Sequence, residues 1–164
     1  MGETAKVRKR LGVFCNGVGL DLGFGGDPIN DSAISLDVSY FPGINIIGDA
    51  RILHWFSTEA LDYVYSSHLL EDFEDISAVL NEWFRVLRPG GFLVLYLPVE
   101  QIYREFCEKN GLERNIQHKN ENLCLDFMLE LLKQDFEGRY EIVHSMELSE
   151  DYCFDLVIKK IKED

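Results

Sequence analysis

The residues of this chain best suited to chemistry are a glycine cluster, aspartates at the ends of apolar runs, and a few histidines. The cluster runs Gly19-Leu20-Asp21-Leu22-Gly23-Phe24-Gly25-Gly26-Asp27-Pro28. Glycine at 23 and 25 lets backbone approach a ligand with no side chain in between; a tight turn after a strand would use the same residues. Asp37 closes the apolar run Ala33 to Val38, where a carboxylate can accept from a pair of ribose hydroxyls. A dinucleotide site would also need the glycine turn to open a helix, because a helix N-terminus holds pyrophosphate. Only Pro28-Ile29-Asn30-Asp31-Ser32 precedes the next apolar run, too short for an ordinary helix. A ligand with a ribose and no phosphates fits this combination. S-adenosylmethionine is such a ligand, and its sulfonium cation suits an acidic pocket.

These residues need elements to position them. Val18 to Leu22, Ala33 to Val38, Ile44 to Ile47, Leu61 to Ser66 and Gly91 to Leu97 read as strands. Their near-continuous apolar character predicts a parallel sheet covered on both faces. Asp75 to Leu87 places Ile76, Val79, Leu80, Trp83 and Leu87 on one helical face, with Asp75 as N-cap and Arg88-Pro89-Gly90-Gly91 as the stop. Asn122 to Phe136 repeats the helical pattern. Tyr140 to Met146 and Tyr152 to Lys160 read as an antiparallel pair around Ser149-Glu150-Asp151. The fold class is therefore α/β: one Rossmann-like, doubly wound domain over 1–164, with about seven strands, mostly parallel, and a C-terminal antiparallel hairpin. Residues 1–16 read as an N-terminal extension. Residues 99–121, polar and irregular after the fifth strand, read as an active-site loop or as a surface excursion with a short helix.

Two further stretches carry a resemblance. They are Leu61-Asp62-Tyr63-Val64-Tyr65-Ser66-Ser67-His68-Leu69-Leu70-Glu71-Asp72 and Glu82-Trp83-Phe84-Arg85-Val86-Leu87-Arg88-Pro89-Gly90-Gly91-Phe92-Leu93. With the glycine cluster they make residues 17 to 160 resemble class I S-adenosylmethionine-dependent methyltransferases with a type 11-like domain, in a short form whose first helix is trimmed. The resemblance implies that Gly23, Phe24 and Gly25 pass close to the methionine part of the cofactor, over Asp21. It implies that Asp37 holds the ribose, that Val38 flanks the adenine, and that Asp49 and the Ala50 backbone meet the adenine edge. Ser66 would face the methionine end. His68 would take a proton from an oxygen or nitrogen acceptor, or else would only pack at a helix start. His118 and Lys119 would orient an anionic substrate, or form a solvated pair. The Gly25-Gly26-Asp27-Pro28-Ile29 form resembles a subgroup associated with glycan and cell-surface biosynthesis.

The implied reaction is in-line methyl transfer from S-adenosylmethionine, leaving S-adenosylhomocysteine, to a small-molecule, glycan or lipid-type acceptor, free or carrier-linked. A methyltransferase-like module that binds cofactor without turnover is the alternative, motivated by the altered third glycine and the missing helix. A nicotinamide-dependent oxidoreductase is a third reading, and the short crossover argues against it. With no substrate domain apparent, the acceptor site is open or completed by a second subunit in a homodimer.

Composition narrows the partners. Sixteen basic against 29 acidic residues give a net charge of −13. The only dense basic run is Lys6-Val7-Arg8-Lys9-Arg10, which makes nucleic acid a poor partner. The segment Leu97-Pro98-Val99-Glu100 also lacks the motif of amino-methylating nucleic-acid enzymes. No apolar stretch is long enough to span a bilayer, and no small-residue cleavage site follows the basic run. Cys15, Cys107, Cys124 and Cys153 form no C-x-x-C pair, which suits reduced thiols in a cytoplasmic protein. No histidine stands at metal-ligand spacing to another ligand, so no metal is expected. Ser66-Ser67-His68 lacks a nucleophile elbow.

Overall fold

The computed structural model describes residues 2–162. Its elements in chain order are α1 (Glu3–Leu11), β1 (Gly19–Leu22), β2 (Ile34–Asp37), β3 (Ile46–Ile47), β4 (Leu61–Ser67), α2 (Ile76–Val86), β5 (Leu87–Pro98), α3 (Glu100–Asn110), α4 (Leu125–Phe136), β6 (Tyr140–Ser149) and β7 (Cys153–Lys160). Short 3-10 turns cover Gly12–Phe14 and Leu70–Asp72. One seven-stranded sheet runs β3-β2-β1-β4-β5-β7-β6. Strands β1 to β5 pair in parallel, and β7 pairs antiparallel with both β5 and β6. The chain order reverses beside β1, so the crevice past the carboxyl ends of β1 and β4 is where such a sheet binds ligands.

One face of the sheet is sealed by α2 and α4. Trp83, Phe84, Met128, Leu132 and Phe136 are fully buried there, together with Leu20, Leu22 and Leu95 from the strands. Helix α2 starts as its sequence predicts: the Asp75 carboxylate accepts the Ala78 N–H at 2.9 Å. The Trp83 indole donates to the Ala50 carbonyl at 2.8 Å, tying α2 to the loop after β3.

The other face corrects the reading of residues 1–16. Residues 2–16 are a structural layer rather than an appendage. Val7 and Leu11, four apart on α1, are fully buried with Ile29, Tyr63, Tyr65, Val94 and Val157. The basic residues alternate with these apolar ones and hide the helical period. The segment between β1 and β2 has no helix, as its length requires, and it wraps α1 instead. The Asp27 carboxylate accepts the Ala5 N–H in the first turn of α1 and pairs with Arg8. Residues 99–121 also differ from a continuous loop, because the first half forms helix α3, ended by Gly111 in the left-handed region. Its buried positions include a glutamate, Glu100, so hydrophobic periodicity understates it.

β5 begins at Leu87 rather than Gly91. Leu87 pairs with Leu61 before the Arg88-Pro89-Gly90-Gly91 irregularity, and Phe92 resumes pairing with Tyr63. At Gly91 a β-carbon would sit 2.8 Å from the Asp62 carbonyl oxygen and 3.0 Å from that of Arg88. Both obstacles are backbone. Gly91→Ala is therefore expected to cost about 2 kcal/mol, as overpacking does, and thermal unfolding should show a melting point lower by several degrees.

Candidate functional site

A cavity of about 270 Å³ opens beyond the carboxyl ends of β1 and β2, with a floor of Gly23 and Leu36. Asp37 and Val38 stand on one side and Gly48, Asp49, Ala50 and Arg51 on another. Leu69, Asp72 and Phe73, from the turn after β4, close it together with Gln117. A second cavity of about 450 Å³ shares Arg51, Asp72 and Phe73 and adds Lys119. The residues of the first cavity arrive at one place because parallel strands all release their chains at the same sheet edge.

Asp37 is held from two sides. Its Oδ2 accepts the Gly25 N–H at 3.1 Å, and its Oδ1 accepts the Ser39 N–H at 2.9 Å. Each oxygen keeps a lone pair for a further donor. Gly23, with φ of 74°, turns the chain so that its own N–H and that of Phe24 donate to the Leu36 carbonyl. This locks the turn against β2 and leaves its outer surface without side chains. Val38 is 72% exposed and presents an apolar flank at the rim. Asp49 lines the cavity but is gripped by Arg51, with Nη2 2.6 Å from Oδ2, and this guanidinium holds its carboxyl below the usual range. Asp72 matters most electrostatically. Burial, reinforced by the neighbouring Glu71, pushes its carboxyl up to about 6, and its Oδ1 is buried without a hydrogen-bond partner.

The remaining expected site residues lie elsewhere. Asp21 points to the α1 side of the sheet, where its carboxylate accepts the Ile29 N–H at 2.7 Å and so pins the trimmed crossover. Phe24 is buried and meets Phe41 edge-on. Ser66 is fully buried and its hydroxyl donates to the Leu22 carbonyl at 3.3 Å. Gly25 touches the cavity only through Asp37.

The two histidines turn away from the cavity into a buried polar cluster. His68, at φ of 50°, places Nδ1 3.6 Å from a Glu71 oxygen and packs edge-on against Tyr96. Its Nε2 lies 3.4 Å from both Glu3 and Cys153. Burial would lower its pKa, but Cys153, Glu3 and Glu71 together raise it well above the ordinary value, while the contact with His68 lowers Glu3 to about 2. His68 lines neither cavity, so its ring is not set where the expected general base would meet an acceptor. His118 is 2.7 Å from Glu100 and 3.8 Å from Glu71, and packs at a tilt against Tyr103. Lys119 donates its backbone N–H to Glu71 and sends its side chain to the second cavity. Sequence reasoning named neither Arg51, Asp72, Phe73 nor Gln117 for the cavity, nor Glu3, Glu71, Glu100 and Cys153 for the cluster. Glu71 and Asp72 stand inside the motif after β4, and that position was the one available signal.

Comparison with known proteins follows this geometry. Residues 4–95 match the family model described as a methyltransferase domain. No curated protein sequence matches the chain. Similar solved structures include a SAM-dependent methyltransferase from Archaeoglobus fulgidus, 15% identical, with TM-score 0.69 and coverage of 96% of this chain and 92% of that one. Another is 1,6-didemethyltoxoflavin-N1-methyltransferase of Burkholderia thailandensis with bound S-adenosylhomocysteine, 13% identical, TM-score 0.68, covering 98% and 80%. A third is the [4+2]-cyclase SpnF, 16% identical, TM-score 0.68, covering 98% and 80%. At these identities the likeness is one of fold, and the cyclase among them shows that the fold serves more than one reaction.

Proposed function

The chain belongs to the methyltransferase domain family, and from that premise we propose that it moves a methyl group from S-adenosylmethionine to a small-molecule or carrier-linked acceptor. The observation that carries this reading is Asp37, fixed by the Gly25 and Ser39 amides with free lone pairs facing a cavity floored by Gly23. Its carboxylate accepts from the two ribose hydroxyls. Val38 and Ala50 flank the base, and the carboxylate of Asp49 reaches the adenine amino group while still paired with Arg51. The unpartnered Asp72 oxygen is what makes the cavity fit a cationic cofactor rather than a neutral nucleoside: it is buried, mostly ionised at pH 7, and lacks a donor. When bound, the cofactor supplies an electrophilic methyl group on a sulfonium. The chain supplies alignment and charge, which suffice for an in-line displacement.

The acceptor, a small molecule, glycan or lipid, enters from the second cavity, past Phe73 and Lys119. Isothermal titration calorimetry is expected to show one-to-one binding of S-adenosylmethionine and S-adenosylhomocysteine. Folded protein that binds neither would refute the proposal. A second reading, a cofactor-binding module without turnover, is favoured by one observation: both histidines near the cavity are committed to buried carboxylates. Tight cofactor binding with no methyl transfer across glycan, lipid and small-molecule panels would select it.

A further inference from the structure

We propose that Glu3, His68 and Cys153 form a binding site for one divalent transition metal of the zinc class. The three come from distant parts of the chain: the first turn of α1, the residue after β4, and the first residue of β7. One ligand atom from each lies within 4.8 Å of the other two. Two edges of this triangle are known closely: Cys153 Sγ and Glu3 Oε2 are each 3.4 Å from His68 Nε2. Tetrahedral zinc with bonds of about 2.0 to 2.3 Å puts neighbouring ligand atoms roughly 3.3 to 3.8 Å apart. The carboxylate–imidazole contact is too long for a hydrogen bond yet matches a tetrahedral edge.

Independent observations point to a missing centre. Among the described residues, Glu3 Oε2 is buried with no contact shorter than its 3.4 Å approach to His68 Nε2. The Tyr96 hydroxyl is also buried and unpartnered, in a side chain with no exposed surface that lies beside the Cys153 thiol. This hydroxyl, or a water it holds, would complete the coordination. Buried polar atoms are nearly always satisfied, so these two orphans on residues in contact with His68 or Cys153 need an explanation. On the far side of the imidazole, Glu71 is fully buried, with both carboxylate oxygens unpartnered and one of them 3.6 Å from His68 Nδ1. A carboxylate behind a ligating histidine orients its ring and raises its basicity. The thiolate and imidazole donors select zinc-like ions over magnesium or calcium, which require oxygen ligands. A metal here would clasp α1 to the ends of β4 and β7, immediately beside Leu69 of the cofactor cavity.

The test uses untagged protein stripped with chelator, titrated with Zn²⁺ by calorimetry and with Co²⁺ by absorption spectroscopy. One equivalent should bind, raise the melting temperature, and give a thiolate-to-cobalt charge-transfer band. Cys153→Ser should abolish the band. Glu3→Gln, at a partly exposed helix end that should fold normally, should weaken affinity at least about tenfold. Cys107→Ser should leave both unchanged. Absence of stoichiometric binding to folded wild-type protein, or equal affinity in wild type, Cys153→Ser and Glu3→Gln, would overturn the proposal.

Discussion

Replacing Asp37 with alanine is expected to weaken S-adenosylmethionine binding by about a hundredfold. The carboxylate offers a charge-assisted hydrogen bond to each ribose hydroxyl, and each such bond is worth about 1.5 kcal/mol or more net of water. Two of them amount to about 3 kcal/mol, or two decades in the dissociation constant. The substitution also releases the Gly25 and Ser39 amides that Asp37 now holds. The fold should survive, because Asp37 lies at the open end of β2 and not in the core. Asp37→Asn, which keeps one acceptor oxygen, should fall between. Calorimetry decides the matter: an affinity within about threefold of wild type for Asp37→Ala would remove Asp37 from the ribose site.

The second large effect concerns stability. Asp21 is almost completely buried on the α1 side, and burial pushes its carboxyl up to about 7 despite the Ile29 N–H that stabilises the anion. In the unfolded chain it titrates near about 3.9. Between those values the native state holds the proton and the unfolded state does not, so stability falls as pH rises from about 4 to about 7. Above that window the cost is complete, on the order of 4 kcal/mol for a shift of about three units. Asp21→Asn keeps an acceptor for Ile29 and carries no charge. It should be markedly more stable than wild type at pH 8, with the difference vanishing near pH 4. Glu3 does not obscure the comparison, because its lowered value of about 2 removes stability only as pH falls below about 4.5. Urea unfolding at several pH values measures this, and a pH-independent difference between the two proteins would contradict the assignment.

How legible all this was in the sequence depends on the range of the interaction. The strands and α2 were readable because their signals are local: apolar runs at β4 and β5, and Asp75 with Ile76, Val79, Leu80 and Trp83 at helical spacing. Gly23 and Asp37 were readable because a strand running into glycine and an acidic residue ending the next strand meet at one sheet edge, whereas Asp49 rested on the family resemblance alone. Helix α1 was obscured by Lys6, Arg8, Lys9 and Arg10, which interrupt the apolar period. The polar cluster was illegible for a stronger reason. His68 meets Cys153 across 85 residues and Glu3 from the opposite end of the chain, and no local pattern encodes such a meeting. The same holds for His68 itself: its position after β4 suggested a base, whereas Glu3 and Cys153, two of the three partners that raise its pKa, lie outside the motif.

The placement of α1 has a consequence for how the protein acquires its shape during synthesis. This helix is translated before every strand of the sheet, yet Arg10 pairs with Asp155 at 2.6 Å, and Val7 and Leu11 share their cluster with Val157. Its partners lie on β7, which follows every other strand of the sheet in chain order. A nascent chain of strands β1 to β5 would therefore carry an incompletely covered sheet face, with α1 able to dock only in part. Native closure has to wait for the C-terminal hairpin, and contacts this distant in sequence make that final step slow relative to local helix formation. A truncation that removes β7 takes away both the strand that joins β5 to the edge strand β6 and the anchor of the first helix, and so should leave a chain that chaperones retain instead of a smaller folded domain.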